Sequence, residues 1–456
     1  MRKVLILSLP LVISNLMHVF YNIADTAWLG MLGKDELAAM AFAFPILFLI
    51  VSVGVGIGVG GSIMVSHAEG AGDSRQVSKV AGQTFIFTLV LSAVISLAGV
   101  FLSGYLVRLM GAAEEVTELA VAYLRIIFSG VILIFSFFVF NEIMRGWGNT
   151  KTPMKIMVAS NILNIALDPL LIFGVGVFPA MGISGAALAT VLSRFAASAA
   201  GVFILFRGSH ALRLSMSDLK PDPDILRRIF VIGWPAIVEH ALKAVGIMIL
   251  TSIVAVFGTV YAASFGIGMR IFSVVVMPSL AISYGTAAAA GQNFGAGLYD
   301  RARRLARDTA VFTFAMLSLL GLALFLARYR VASIFMGAGE VEVISSTASF
   351  ITRLSLMAPF LGTSIALRGA FKGAGRTFHS MLIGMLGLLG FRVVYAWAAA
   401  SLYGSVTGIW DSFTVSGAAE LALCAAYYRY TRWHIPSRGM LSYRSDELSP
   451  ETPDLT

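Results

Sequence analysis

A single cysteine, Cys424, is all the thiol chemistry this 456-residue chain contains. One cysteine builds no intramolecular disulfide framework and supplies no thiolate metal cluster. Charge is scarce as well. Asp, Glu, Lys and Arg make up 12% of the residues, about half the share in an ordinary soluble domain. The six histidines are scattered, and only His18 and His240 fall inside apolar segments, in different halves of the chain. No histidine pair has metal or haem spacing, and no Ser/His couple or catalytic acid pair lies near an aqueous face. The glycine run "VGVGIGVGG" (53–61) lacks the Lys-Ser/Thr and the preceding strand of a phosphate loop. No nucleotide-binding domain is legible in the sequence, so ATP is not the expected direct energy source. These absences argue against an enzyme, resident cofactors and a membrane redox subunit. An absorbing cofactor in the purified protein would be the sign of the last.

Apolar residues, by contrast, make up 58% of the chain, and the mean hydropathy is +0.86. That combination leaves an all-α polytopic membrane protein, because long continuous apolar runs are helical spans and short alternating ones are barrel strands. Apolar runs between charged or Gly/Pro breaks predict twelve spans. They fall near 4–31, 37–66, 83–109, 117–145, 153–176 and 182–206, then 226–257, 260–290, 305–327, 342–371, 378–403 and 409–431. The first is too long for a signal-peptide core and has no A-x-A-type cleavage site, so it belongs to the mature protein. Basic residues gather on alternate connections: Arg2/Lys3, Arg75/Lys79, Arg145/Lys151/Lys155, the 207–228 segment, Arg301/Arg303/Arg304/Arg307 and Lys372/Arg376. The positive-inside rule then places both termini in the cytoplasm and the protein in the cell membrane. The net charge of +9 is explained this way without nucleic acid as a partner.

One long hydrophilic connection, "RGSHALRLSMSDLKPDPDILRR" (207–228), divides the chain near its middle. The halves resemble each other. "LPLVISN" (9–15) matches "WPAIVEH" (234–240), "HAEGAGDSRQ" (67–76) matches "QNFGAGLYDRAR" (292–303), and "MRGWGNTKTPM" (144–154) matches "FKGAGRTFHSM" (371–381). Six spans per half give parallel repeats about an axis along the membrane normal, hence two pseudo-symmetric six-helix lobes around a central cleft. The expected domains are a first lobe at 1–206, a cytoplasmic linker at 207–225, a second lobe at 226–434 and a disordered cytoplasmic tail at 435–456.

Within these spans, ionisable side chains stand out because each costs several kcal/mol at membrane depth, about 2.5 or more. Asp25 lies roughly 9 Å inside the outer end of the first span, and Asp168 and Thr190 roughly 12 Å inside theirs. Tyr123 lies near the same level. Asn164 and Asp168 share a helix face at i,i+4, with Asn161 one turn earlier on the same side. Pro169 frees the carbonyl of Ile165. This oxygen-rich set suits a small cation, or a proton shared between paired acids; two protonated acids bonded within a core would look the same. The repeat supplies a control, since Asp25 aligns with Leu250 and Asp168 with Tyr395. Acids required by the lobe's fold would recur in both halves, and these do not. The second lobe offers Glu239 and Lys243, an i,i+4 pair, and Arg392 deep in the eleventh span as the candidate to face the cleft.

An Asp in the outer half of the first span, "N-x-x-L-D-P" in the fifth, "G-A-A-L-A-T" in the sixth and "R-G-W-G-N-T-K-T-P" after the fourth resemble the multidrug and toxic compound extrusion (MATE) transporters. The resemblance implies export of organic, often cationic compounds, with roles in antibiotic resistance, in exchange for H⁺ or Na⁺. By position it implies a cation site at Asp25, Asn164, Asp168 and Thr190, which would be the Na⁺ ligands if sodium is the ion. Tyr21 and Tyr123 then belong to the hydrogen-bond network, joined by Asn161. The tenth span "SLMAPFLGTSIALRG" lacks the acid of the NorM branch, and Lys243 stands where that branch has its glutamate. The chain thus looks more like the DinF-type branch. Expected partners are small organic molecules and the lipid bilayer, with the protein monomeric. A flippase of lipid-linked oligosaccharides from the same superfamily is the alternative, favoured by intramembrane arginines such as Arg270 and Arg353.

Overall fold

The computed structural model describes residues 1–176, 178–208, 212–335 and 340–435. The tail assigned to 435–456 therefore lies, apart from Ile435, outside the described residues. Among the described residues the regular structure is helical. The order is α1 (Arg2–Leu32), α2 (Lys34–Ala71), α3 (Ser74–Leu109), α4 (Glu114–Ser129), α5 (Val131–Trp147), α6 (Lys151–Phe173) and α7 (Ile183–Arg207). The second half holds α8 (Pro223–Ala255), α9 (Thr259–Gly295), α10 (Tyr299–Ser333), α11 (Val341–Gly373), α12 (Thr377–Met385), α13 (Val394–Tyr403) and α14 (Val406–Tyr430). A π-helical stretch, Leu386–Val393, joins α12 to α13 without a break, so residues 377–403 form one passage. Helices α4 and α5 form another, bent by 53° at Gly130. Counted this way, eleven passages among the described residues are long and apolar enough to cross a membrane. Helix α14, which carries Asp411 and Glu420, is less apolar than that test asks and makes the twelfth at its expected place.

Helix ends follow local chemistry. Asp73 caps α3 by accepting from the Gln76 amide at 2.9 Å, and Gly72 before it takes the left-handed φ of 75° that closes the tight α2–α3 turn. Asp222 caps α8, with Pro223 in the first turn where its missing N–H costs nothing. Large apolar side chains such as Phe20, Leu97, Phe101, Leu319 and Leu326 stay exposed on the outside of the bundle, as a lipid solvent allows.

Among the described residues the two lobes interlock toward one end. We call the end bearing Met1 and the 207–222 connection the linker face, and the opposite end the far face. At the far face each lobe has its own core. One is built on Leu29, Tyr123, Phe128 and Phe135, the other on Phe265, Phe350, Trp410 and Phe413. Toward the linker face the lobes interlock. Gly56 and Gly60 of α2 lie against the α8 backbone at Gly233, Ile237 and Ile229, where a Cβ would clash. Gly70 abuts Gln292, Gly295 abuts His67, and the His67 Nε2 lies 2.7 Å from the Gly373 carbonyl. Val4 of α1 packs with Ile282, Ala289 and Ala366 across the same seam. The glycine run of α2 is thus an interlobe surface, which its composition alone left as contact or bending.

The connection between lobes is tied down by one buried side chain. Gln83 of α3 donates to the Asp218 and Lys220 carbonyls, both at 2.7 Å, and accepts from the Asp222 amide at 2.8 Å. Gln83→Leu strands two acceptors and a donor, at a net cost of about 1–3 kcal/mol. The expected result is a lower melting temperature in detergent and faster tryptic cleavage after Arg213, in the same connection; wild-type cleavage kinetics would show that Gln83 does not hold the connection. Beside it, the Lys79 hydrogen bond to Asp222 at 2.6 Å holds that carboxyl below its usual range. With a depressed folded value, the pair helps above the ordinary carboxylate range and fades as pH falls through the value in the folded state. Because both side chains are partly exposed, that help is small and salt-sensitive.

Candidate functional site: a buried acid pair and a basic cavity

The first-lobe residues converge. Asp25, Asn161, Asn164, Asp168, Thr190, Tyr21 and Tyr123 are all buried, and Asn161, Asn164 and Asp168 have no exposed surface. Helix α1 packs on α6 and α7, which brings Tyr21 to Thr190 with their oxygens 3.3 Å apart. The Asn164 amide donates to Asp168 Oδ1 at 3.4 Å, one turn along α6. Asp25, Asp168, Tyr21 and Tyr123 lie within electrostatic range of one another. Three buried acceptors end without a donor: Asp25 Oδ1, Asp168 Oδ2 and Asn164 Oδ1. Such groups cost free energy unless something fills them.

Arg194, one turn beyond Thr190 on α7, is an arginine inside the sixth span that the expected site did not include. Its guanidinium donates to Asn161 Oδ1 at 3.1 Å and to Ser160, and lies 5.7 Å from the Tyr21 ring. The Asn161 carbonyl oxygen is therefore held by a cation, while its Nδ2 has no partner among the described residues. The available signals were its place inside an apolar span and the i,i+4 spacing from Thr190.

Glu239, Lys243 and Arg392 do not join that cluster. They line a separate cavity of about 620 Å³ between the lobes, on the far-face side of the glycine seam. Asp25 and Asp168 are not among its lining residues. The expected Glu239–Lys243 pair forms, at 3.1 Å, but it is one spoke of a larger hub. Glu239 also meets Arg368 at 2.9 Å and Lys372 at 2.8 Å, while Arg368 reaches on to Glu420 at 3.1 Å. Glu420 is fixed by Ser364 Oγ at 2.7 Å. Arg145 enters the cavity between its partner Glu142 and the Tyr284 ring, 4.2 Å away.

Arg392 projects from the π-helical stretch, donates to Ser416 Oγ at 2.9 Å and sits 4.5 Å from the Phe413 ring. Among the described residues no carboxylate lies within 4 Å of it. Arg353, by contrast, is held by Asp411 at 2.9 Å, and Arg270 is exposed. Arg368, Lys372 and Glu420 were missed for different reasons. Lys372 and Arg145 look like cytoplasmic flank charges. Glu420, however, sits mid-span and meets the same intramembrane-acid criterion as Asp25.

Comparison with known proteins agrees with this architecture. The MatE family model matches residues 10–170 and 235–398, once in each half. The probable multidrug resistance protein YoeA of Bacillus subtilis is 27% identical over 434 residues, covering 94% of this chain and 93% of its own length. An FAD transporter of Shewanella oneidensis is 28% identical over 388 residues, 85% of each chain. Among solved structures, the outward-facing conformation of a multidrug resistance MATE family transporter of the MOP superfamily superimposes with a TM-score of 0.87 at 26% identity, over 94% of this chain and 95% of that one. With twelve helical passages in two lobes, a polar cluster buried in one of them and a family match in both, this chain belongs to the MatE family of multidrug efflux transporters, multi-pass membrane proteins that move small molecules and are not enzymes.

Proposed function

We propose that the chain is a secondary antiporter that exports organic compounds in exchange for an inward-moving H⁺ or Na⁺. The observation that carries this is the set of buried acceptors without donors at Asp25, Asn164 and Asp168. A proton on either acid, or a sodium ion among these oxygens and that of Thr190, would satisfy them, and neither needs a resident cofactor. The positive-inside distribution puts the linker face, with both termini, in the cytoplasm of a cell-membrane protein. The far face then opens outward, and the glycine seam closes the cavity from the cytoplasm. In this reading the coupling ion enters from outside and neutralises the acids. Helix α1 then repacks against α6 and α7, and the cavity narrows and releases cargo. The inward-facing state returns the ion and reloads. The single acid cluster, with only a salt-bridged hub in the second lobe, supports coupling through the first lobe alone. The FAD carried by the Shewanella relative indicates that cargo within such a fold extends beyond drugs.

The test is uphill efflux from proteoliposomes under an imposed pH gradient and then a Na⁺ gradient, with ethidium, norfloxacin and fluorescein as probes. Efflux of at least one probe under one gradient names the ion. If folded protein moves none of the probes under either gradient, the antiport reading is wrong.

A further inference from the structure

We infer that the interlobe cavity binds an organic anion, one with a flat apolar body and a phosphate or carboxylate group. This rests on the transporter reading above, deepens it, and parts from the cationic cargo that the family resemblance implied. Five cationic side chains line the cavity: Arg145, Lys243, Arg368, Lys372 and Arg392. Two carboxylates, Glu239 and Glu420, line it with them, and Glu142 backs Arg145 from outside the lining. Cations therefore exceed carboxylates even when every ion pair is counted. Glu239 alone is shared by Lys243, Arg368 and Lys372, which leaves donors on both lysines free to turn into the cavity. Walls of low dielectric concentrate the resulting positive potential, which repels a cationic guest and draws in an anion.

Arg392 gives the potential a direction. Its guanidinium is nine-tenths buried, carries no carboxylate partner among the described residues, and is braced by Ser416 and the Phe413 ring. Glu420, already bonded to Arg368 and Ser364, is the carboxylate within electrostatic range, and a buried cation so sparsely compensated is expensive unless an anion arrives to pair with it. The π-helical stretch at Leu386–Val393 carries Arg392 into the lining, and such local unwinding is frequent at functional sites. Around the charges stand Phe272, Phe413, Met269 and Met385, adaptable apolar surface suited to a ring system. The volume of about 620 Å³ fits a molecule of that kind.

Two dyes with the same xanthene skeleton and opposite charge isolate the effect. Fluorescence anisotropy in detergent, with no ion gradient, measures binding of fluorescein, an anion at pH 8, and of rhodamine 6G, a cation. The expected result is at least tenfold tighter binding of fluorescein, reduced about tenfold or more by Arg392→Gln and by Lys243→Gln. Unchanged gel-filtration and melting profiles establish that each variant is folded; should Arg392→Gln fail to fold, the half-exposed Lys243 carries the test. Competition assigns the source of the anionic group. Displacement by flavin mononucleotide but not riboflavin points to a soluble phosphate, and displacement by farnesyl phosphate alone points to a lipid-borne one. Equal or tighter binding of rhodamine 6G, or indifference of fluorescein to both substitutions, overturns the inference. Because no gradient is involved, the two readings fail separately. Fluorescein binding without gradient-driven export would refute antiport only. Driven export of ethidium with no fluorescein binding would refute the anion site only.

Discussion

Asp25→Asn and Asp168→Asn each reduce gradient-driven efflux to the level of protein-free vesicles while leaving folded protein in the membrane. The carboxamide keeps the volume of the acid but neither binds and releases a proton near neutral pH nor lends a full charge to a sodium ion. Both acids are buried, and each has an oxygen with no donor, so the native carboxylates bear an unpaid desolvation cost. Replacing one with a neutral amide relieves part of it. The melting temperature should therefore hold or rise as transport disappears, and a merely structural acid would not behave that way. The check is efflux per unit of folded protein beside a detergent melting curve. Persistent coupled efflux in both variants would return the pair to a packing role. Leu250→Asn, at the position that Asp25 occupies in the repeat, serves as the control. Leu250 is 1% exposed within the second-lobe core, so asparagine there costs folding, about 1–3 kcal/mol, but removes no coupling group. Its efflux, normalised to folded protein, should remain gradient-driven.

Arg368→Met lowers the melting temperature more than any other substitution considered. The guanidinium bridges Glu239 and Glu420 and packs against Gly384. Methionine fills much of the space but leaves Glu420 with Ser364 as its remaining close partner. Breaking a buried ion pair by removing one side costs about 3–5 kcal/mol, because a buried charge is left uncompensated. The penalty resides in that charge, so Glu420→Gln in the Arg368→Met background should recover most of the loss. Thermal melting and folded yield of the two single variants and the double variant measure the coupling. Simple additivity would mean that Arg368 and Glu420 do not form one network.

Much of this molecule is legible from hydropathy and repetition alone. Twelve passages fall where the apolar runs fall, because a span must be long, apolar and helical whatever surrounds it. The Asp25 and Asp168 cluster is legible for the same reason, since an ionisable group in an apolar run is conspicuous. Its composition within one helix face follows from the i,i+4 rule. The duplication could be read because parallel repeats keep their motifs in register.

What the sequence determined by itself is therefore the class, the number of passages, the two lobes and the positions of the first-lobe acids; each depends on short-range chemistry against a lipid solvent. The tertiary structure alone decided which charges meet. Arg194 pairs with Asn161, Arg368 joins Glu239 to Glu420, and Arg392 is left without a carboxylate in contact. Partners on α8, α11 and α14 are far apart along the chain, and no periodicity relates them. Lys372 and Arg145 belong by hydropathy to the cytoplasmic flanks. They enter the cavity only because the glycine seam draws the lobes together beneath it. The sign of the cavity's charge comes from that packing, since the same residues on separated helices would each be solvated or paired alone.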